Sequence, residues 1–267
     1  MNVFKFLIKN LIHLYILKFV MSTSRISVSV ILPTYNGAKY LDNSINCILN
    51  QTLKEIELII VNDASNDNTL EILNKYKNNK NVKIINLKKN KGQGNARNLG
   101  IKIASGEFIG FMDDDDYVDK RFYEMLYYYS KDKDIVVGTF LDCIYNYKYC
   151  TYNEEQNYYD STIYDKDNYK KKRVYGFIYN SLWRKNFIVN NKIKFPLSKY
   201  LEDREFRIQC YKNNPRLFKI PDNGIYYYYE RRKGSSNKNN SSKYFDRIIK
   251  KSDKNKLKNM GIKNDIL

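Results

Sequence analysis

Short apolar runs alternate with amphipathic segments from Ile26 onward, and this alternation constrains the fold more than any other feature of the chain. The apolar runs are four to six residues long and rich in β-branched residues, as in buried parallel strands. The segments between them place apolar residues at helical spacing. Such a βαβαβαβ series predicts an α/β fold in which helices cover a largely parallel sheet with right-handed crossovers. The runs occupy residues 28–32, 58–61, 82–87 and 108–112, and the helical segments occupy residues 41–49, 70–76 and 96–103.

Specialised polar residues follow these runs. The first, second and fourth runs lead into PTYNG (33–37), NDASND (62–67) and DDDD (113–116), and the third leads into NKGQGNARN (90–98). Ligands of open α/β sheets bind beyond the carboxyl ends of the strands. The sequence therefore predicts a ligand site at the edge of the sheet where these segments lie.

The acidic cluster Asp113, Asp114, Asp115 and Asp116 is the most informative of these segments. Successive carboxylates repel one another at the end of a buried strand unless a cation compensates their charge. Oxygen ligands favour Mg²⁺ or Mn²⁺, which also bind diphosphate oxygens. The alternative is a solvated turn that caps a helix starting near Val118, for which one or two acids would suffice. The position after the fourth strand favours the metal.

Two residues are suited to hold a nucleotide at the same edge. Asp63 ends the second run, where a carboxylate can accept hydrogen bonds from a base or ribose. Tyr35 offers an aromatic face on which a base can stack. Helix capping explains the neighbouring Ser65 and Asp67, and core packing is an equal alternative for Tyr35.

Gly92 and Gly94 precede the third predicted helix. They allow the backbone to approach a ligand closely, next to a helix N-terminus that favours anions. The segment is not a Walker loop, because the order of glycine, lysine and hydroxyl residues is absent. Arg97 in the first turn can reach a phosphate or base, or it can form ion pairs with the acids at the strand ends, which is the favoured interpretation.

The candidate base is a carboxylate, because the only histidine, His13, lies upstream of the first strand. An imidazole base in the core is thereby excluded. Glu202 and Asp203 open a helix predicted over residues 201–212 and are the best isolated candidates. Acids in a first helical turn more commonly interact only with the helix dipole.

The charge of the chain indicates an anionic partner. Lysine and arginine number 47 and aspartate and glutamate 29, a net charge of +18 that attracts phosphates, anionic lipid or nucleic acid. With 26 tyrosines, this makes a nucleic-acid-binding protein one alternative. A sugar nucleotidyltransferase, which also uses parallel strands and carboxylate-bound metal, is another. The acidic cluster argues against a groove for a phosphate backbone, so no nucleic acid is expected.

The four cysteines form no CxxC pair, which suggests neither a zinc knuckle nor a disulfide scaffold and fits a reducing, cytoplasmic compartment. No uninterrupted apolar stretch reaches the roughly 18 residues of a spanning helix. Residues 1–24 are predicted to form an amphipathic extension. Three alternatives stay open for it: a helix lying on the membrane face, a helix packed on the protein itself, or translation beginning at Met21.

The second half of the chain is less regular. Short β-like pieces occur at residues 135–137 and 140–145, order returns over residues 177–190, and a further strand is predicted over residues 225–229. The last segment, residues 238–267, is a basic tail with few apolar anchors.

Taken in order, four segments together with a later acidic pair resemble the family 2 glycosyltransferases with the GT-A fold. Their order and spacing match jointly, which is more specific than any single motif. The resemblance covers roughly residues 26–237, and LED (201–203) and YYYYERRKGSS (226–236) look like that family's acceptor half. The four segments are VILPTYN (30–36), VNDAS (61–65), GNARNLG (94–100) and FMDDDD (111–116).

The resemblance implies a Rossmann-like GT-A domain over residues 25–237, with a nucleotide-binding half (25–118) and a smaller acceptor-side region (119–237). It implies inverting transfer of a sugar from a nucleoside diphosphate sugar, as in UDP-sugars, to a hydroxyl of a glycan, lipid-linked or protein-linked acceptor. Assembly of a surface glycan at the cytoplasmic membrane face is the implied role. The implied nucleotide-binding residues are Pro33, Tyr35, Asn36, Asp63, Arg97, Asp113 and Asp114. The implied ligands of Mn²⁺ or Mg²⁺ are Asp115 and Asp113. The implied catalytic residues are Asp203 and Glu202.

One departure concerns the metal. Many relatives place a histidine near the end of the domain, where this chain has ERRKGSS (230–236). A charged arginine or lysine cannot ligate a cation but can neutralise a diphosphate directly. The sequence therefore predicts weaker metal dependence than in those relatives.

Overall fold

The computed structural model describes residues 26–144, 149–151, 161–164, 171–174, 177–197, 201–221 and 225–230. The predicted N-terminal extension and basic tail lie outside these ranges. Within them, no helix is long and apolar enough to cross a membrane.

The described residues form thirteen strands and six helices. The strands are β1 (Val28–Thr34), β2 (Ile56–Asn62), β3 (Val82–Asn86), β4 (Phe108–Phe111), β5 (Tyr117–Val118), β6 (Ile135–Val137), β7 (Thr139–Ile144), β8 (Tyr149–Thr151), β9 (Ser161–Tyr164), β10 (Lys171–Val174), β11 (Ser181–Arg184), β12 (Leu217–Lys219) and β13 (Tyr226–Glu230). The helices are α1 (Leu41–Leu49), α2 (Thr69–Tyr76), α3 (Gln93–Ile103), α4 (Phe122–Tyr128), α5 (Lys185–Asn190) and α6 (Glu202–Lys212).

The central sheet has seven strands in the order β12-β6-β11-β4-β1-β2-β3. The four strands predicted from the apolar runs are parallel neighbours, and β11 runs antiparallel between β4 and β6. Strands β6, β11 and β12 come from the predicted acceptor half and complete this sheet. The prediction of a mostly parallel sheet flanked by helices is confirmed, whereas the division into two halves stays a prediction.

Strands β1, β2 and β4 are buried along their whole length, because helices cover both faces of the sheet. This explains why their sequences are apolar runs instead of alternating patterns. Helix α3 lies closest to β1 at Gly100, where a Cβ atom would overlap the side chain of the buried Ile31. Glycine at this position therefore sets the distance between the helix and the sheet.

A second sheet, in the order β5-β13-β7-β8, lies next to the acidic cluster, and β9 and β10 form a separate antiparallel pair. Val118 pairs with Tyr227 of β13, and α4 begins only at Phe122. The expectation of a helix starting near Val118 is therefore wrong. The strand that pairs with Val118 is more than a hundred residues away in sequence, so no local pattern indicates that Val118 forms a strand.

The cysteines fall into two pairs with different surroundings. Cys47 and Cys210 are buried free thiols, and burial raises the pKa of Cys47 to about 12. Cys143 and Cys150 are register partners across the antiparallel strands β7 and β8. Cys47 and Cys210 are therefore held in the protonated form and are unsuited to act as nucleophiles.

We predict that Gly100→Ala lowers the free energy of unfolding by about 2 kcal/mol. Overpacking against Ile31 costs up to about 3 kcal/mol, and the higher helix propensity of alanine returns about 1 kcal/mol. Urea unfolding measures the difference. Lys102→Ala, at an exposed position of α3, is the control and is expected to change stability by less than about 0.5 kcal/mol. Equal stability of the two variants would contradict the close helix–sheet contact.

Candidate active site

The carboxyl ends of β1, β2 and β3 lie side by side, because Thr34, Asn62 and Asn86 are register partners. Asn62 Nδ2 donates a hydrogen bond of 3.0 Å to Asn86 Oδ1. Asn62 Oδ1 accepts bonds from the Ser65 amide at 3.1 Å and the Ser65 hydroxyl at 2.6 Å. The polar strand ends therefore meet at one edge of the sheet.

The loops after β1 and β2 are joined by reciprocal hydrogen bonds. The Asn36 amide donates to Ser65 Oγ at 2.9 Å, and the Asn66 amide donates to Asn36 Oδ1 at 2.8 Å. Asn36 (φ 54°) and Ala64 (φ 62°) both adopt the left-handed region, which is more costly for alanine than for asparagine. Asn36 thus shapes this loop, and its contact with a nucleotide stays a prediction.

Tyr35 and Pro33 occupy contrasting positions in the same segment. Pro33 is buried within β1, where it pairs in register with Val61. The side chain of Tyr35 is 46% exposed just beyond the strand end. The alternative that Tyr35 packs in the core is therefore wrong, and its ring is accessible for stacking on a base.

Asp63 anchors the loop that follows β3. Its carboxylate is buried and accepts the amide of Lys91 at 2.8 Å on Oδ1 and the amide of Gly92 at 2.7 Å on Oδ2. Gly92 has a φ of 86°, which is readily available only to glycine. Each carboxylate oxygen retains a second lone pair, so the arrangement can accept a further donor from a ligand.

Different partners hold the side chains of the acidic cluster. Asp113, Asp114 and Asp115 are half-buried, and Asp116 is buried. Asp114 Oδ2 accepts a hydrogen bond of 2.5 Å from Thr34 Oγ1. A Cβ atom on Gly37 would overlap that Asp114 carboxylate. Glycine at the end of the PTYNG segment therefore makes room for a carboxylate from the segment that follows β4.

Asp116 points into the protein, unlike the partly exposed side chains of Asp113, Asp114 and Asp115. Its carboxylate accepts a 2.6 Å hydrogen bond from the buried Tyr227 hydroxyl. Ser44 of α1 donates to the backbone oxygens of Asp114 and Asp116 at 2.8 and 3.0 Å. Burial and the carboxylates of Asp116 and Asp113 raise the pKa of Tyr227 well above its ordinary value, so the phenol stays protonated as a donor.

The residues predicted to bind a metal suit a hard divalent cation. Asp113 and Asp115 supply carboxylate oxygens at the strand end, and both remain partly exposed. Among the described residues, no three histidine, cysteine or acidic side chains are grouped to form a complete metal site. Two partly exposed carboxylates fit a site for Mg²⁺ or Mn²⁺ in which waters and a bound phosphate would supply further oxygens.

Arg97 links the acidic cluster to α6. Its Nη2 contacts Asp113 Oδ1 at 2.8 Å and Gln93 Oε1 at 3.1 Å, and its Nη1 contacts Glu202 Oε1 at 3.0 Å. Burial favours the neutral form, but Asp113 and Glu202 outweigh it and raise the pKa of Arg97. The predicted ion pair with a strand-end acid is confirmed, and contact with a nucleotide stays a prediction.

The neighbouring residues of α3 hold the segment that leads to α6. Asn98 Nδ2 donates to the Phe195 carbonyl at 2.8 Å, and the Phe195 amide donates back to Asn98 Oδ1 at 2.9 Å. A Cβ atom on Gly94 would lie 2.6 Å from the Pro196 carbonyl oxygen. The GNARN motif, predicted to face a ligand, therefore also fixes the backbone at Phe195 and Pro196 against α3.

Glu202 and Asp203 lie in the first turn of α6, as predicted. Both are half-buried, and no side chain in the described part of the protein caps the helix. The preceding residue, Leu201, is left-handed (φ 61°) and 60% exposed. Glu202 is directed to Arg97, whereas Asp203 is partly accessible at the N-terminus of α6.

Aromatic contacts fix α6 to the strand that ends in the acidic cluster. Phe206 stacks on Phe195 with ring centroids 4.1 Å apart and an interplanar angle of 7°. It also makes edge contacts with Phe111 at 5.7 Å and with Trp183 at 5.4 Å. Because Phe111 lies two residues before Asp113, this cluster holds the candidate base near the candidate metal ligands.

Three supporting side chains were not predicted. Thr34 and Asn98 lie inside the motifs of the resemblance, so the sequence could have indicated them. Tyr227 is one of four consecutive tyrosines and carries no distinguishing signal.

Comparison with known proteins is consistent with this geometry. The Glycosyl transferase family 2 model matches residues 29–192. The poly(ribitol-phosphate) beta-N-acetylglucosaminyltransferase TarP of Staphylococcus aureus is 34% identical over 201 residues, which are 70% of this chain and 58% of TarP. The chain thus spans little more than half the length of this relative.

Solved structures of S. aureus TarS have the same architecture. The crystal structure of TarS 1–349 in complex with UDP matches with a TM-score of 0.63 and 29% identity, covering 76% of this chain and 60% of that one. The complex with UDP-GlcNAc matches with a TM-score of 0.64 and 30% identity, covering 78% and 60%.

Neither of the alternatives drawn from the sequence, a nucleic-acid-binding protein or a sugar nucleotidyltransferase, is the family that matches. The strand-end motifs, the mostly parallel sheet and the family match agree with one another. The chain belongs to glycosyl transferase family 2 and has the GT-A fold.

Proposed function

We propose that this protein transfers a sugar from a UDP-sugar to an acceptor hydroxyl with inversion at the anomeric carbon. The observation that carries the proposal is the placement of two acidic groups on either side of one guanidinium. Arg97 contacts Asp113 of the acidic cluster and Glu202 of the α6 first turn. This arrangement supports a donor site at the acidic cluster next to the helical turn that carries the candidate base. The TarS complexes with UDP and UDP-GlcNAc support UDP as the nucleotide.

The nucleotide would lie over the ends of β1 and β2. The exposed ring of Tyr35 would stack on the base, and Asp63 would accept a hydrogen bond from it. Pro33 and Asn36 would shape the adjoining loop. The basic net charge of +18 adds a favourable field for the diphosphate.

Asp115 and Asp113 would hold Mn²⁺ or Mg²⁺, and Asp114 would lie beside the ribose. When bound, such a cation neutralises the leaving diphosphate. Residues 231–236, which replace the histidine-containing segment of many relatives, lie outside the described residues. Their arginine and lysine side chains would share that neutralisation, so weaker metal dependence than in those relatives remains part of the proposal.

Asp203 would act as the general base. Its carboxylate would accept the proton of the acceptor hydroxyl, whose oxygen forms a bond to the anomeric carbon as the bond to UDP breaks. A single displacement from the face opposite UDP inverts the configuration. General-base assistance of this kind contributes roughly 10²–10⁴-fold in rate.

The acceptor would be a glycan, free or lipid- or protein-linked, in the assembly of a surface polymer. The name of TarP, an enzyme of poly(ribitol-phosphate) glycosylation, supports a surface polymer as the acceptor class. A cytoplasmic location at the membrane face, with contact through residues 1–24, is part of the proposal, and that segment lies outside the described residues.

We predict that Asp115→Ala abolishes release of UDP from UDP-GlcNAc, because the cation loses a ligand at the diphosphate. The loss is expected to reach at least about 100-fold. UDP release is measured with Mn²⁺, after chelation with EDTA, and after Mn²⁺ is restored. The control is Glu124→Gln, an exposed carboxylate that contacts Thr52 ahead of β2. Full activity of the Asp115 variant would remove that residue from the site.

We predict that Asp203→Asn binds UDP as the wild type does but turns over UDP-GlcNAc about 10²–10⁴-fold more slowly. The amide keeps the size of the side chain and cannot accept the proton. Calorimetry with UDP and UDP-release rates at saturating donor separate the two effects. Glu205→Gln, an isosteric change in the same helical turn, is the control and is expected to keep both. Loss of UDP affinity in Asp203→Asn would assign that residue to the donor site instead.

A further inference from the structure

Arg97 is buried between two parts of the molecule that the reaction has to bring together. Its side chain is 3% exposed and contacts Asp113, 29% exposed, at the end of β4. It also contacts Glu202, 14% exposed, at the start of α6. One side chain thus joins the candidate donor site to the helix that carries Asp203.

The ion pair of Glu202 with Arg97 joins the first turn of α6 to α3. None of the side chains that the structure describes caps this turn, and Leu201 precedes it in a left-handed conformation. The Glu205 amide closes the first turn by donating to the Leu201 carbonyl at 3.0 Å. Phe206 fixes the helix one turn further on. The ion pair between Arg97 and Glu202 therefore joins the turn in which Asp203 lies to α3.

The position of Arg97 itself is fixed by its neighbours on α3. Gly94 lies one turn before Arg97 and packs against Pro196. Asn98 follows Arg97 directly and exchanges two hydrogen bonds with the backbone of Phe195. Movement of the guanidinium toward a nucleotide would break its two ion pairs and leave carboxylates without compensation. A direct contact with the base is thus unfavourable in this arrangement.

We propose that Arg97 is a positioning residue that acts through Glu202 to hold Asp203 at a fixed place relative to the donor site. The inference rests on the proposed function. It assigns Glu202 to positioning and not to proton transfer. It also assigns Arg97 to the link between α3 and α6 instead of to nucleotide binding. The raised pKa of Arg97, to which Asp203 also contributes electrostatically, is consistent with this arrangement.

The test compares Arg97→Lys, Glu202→Gln and the double variant. A lysine is a point charge and cannot hold two carboxylates in the planar geometry of a guanidinium, and glutamine removes the charge at nearly the same size. The control is Arg184→Lys. Arg184 pairs with Glu107 and has Phe108 as its register partner, at the opposite end of β4 from Asp113.

Calorimetry with UDP and UDP-release rates with UDP-GlcNAc are the first readout. Both single variants are expected to keep the Kd for UDP within about 3-fold and to lower kcat by at least about 10-fold. The double variant is expected to have a kcat no lower than that of the slower single variant, because both changes break the same link. A weaker Kd with unchanged kcat would overturn the proposal in favour of nucleotide binding. Unchanged kcat in both variants, or additive losses, would also overturn it.

Hydrogen exchange of the amides of residues 205 and 206, the first in α6 to have a carbonyl partner four residues earlier, is the second readout and does not depend on activity. These amides are expected to exchange at least about 10-fold faster in Arg97→Lys and Glu202→Gln and to be unchanged in Arg184→Lys. Unchanged exchange would show that Arg97 does not hold the turn. If the wild type releases no UDP, the proposed function fails, and exchange still decides the structural link. Should Arg97→Lys not fold, Glu202→Gln alone carries both readouts.

Discussion

Four consecutive carboxylates at the end of one strand are the constraint on which the site depends. Crowded anions of this kind are stable only if each finds compensation. For three of the four, separate elements supply a partner: Arg97 of α3 for Asp113, Thr34 of β1 for Asp114, and Tyr227 of β13 for Asp116. The local cost of the cluster is therefore offset by contacts that join three distant parts of the sequence.

These contacts also explain why the GNARN segment has two structural roles. In the GNARN segment, Gly94 and Asn98 fix the chain at Pro196 and Phe195, and Arg97 joins the two acidic sites. These contacts lie on one helical face, since the positions are three and four residues apart. A motif interpreted from sequence as a ligand loop thus also contacts α6 and the segment that leads to it.

The sequence predicted those features that depend on local periodicity and on strand ends. The parallel strands, the helices between them and the ion pair of Arg97 with a strand-end acid follow from patterns within about 90 residues. The role of Tyr227 and the strand at Val118 could not be predicted, because each depends on a pairing across more than a hundred residues. The second partner of Arg97, Glu202, is equally remote in sequence.

The buried pair of Tyr227 and Asp116 connects the second sheet to this arrangement. The phenol remains protonated and donates a charge-assisted hydrogen bond, while its oxygen lies 3.4 Å from the Asp113 amide. Strand β13 is therefore tied to the backbone that presents the acidic cluster. The second sheet and the acidic strand end are thus joined through one hydroxyl group.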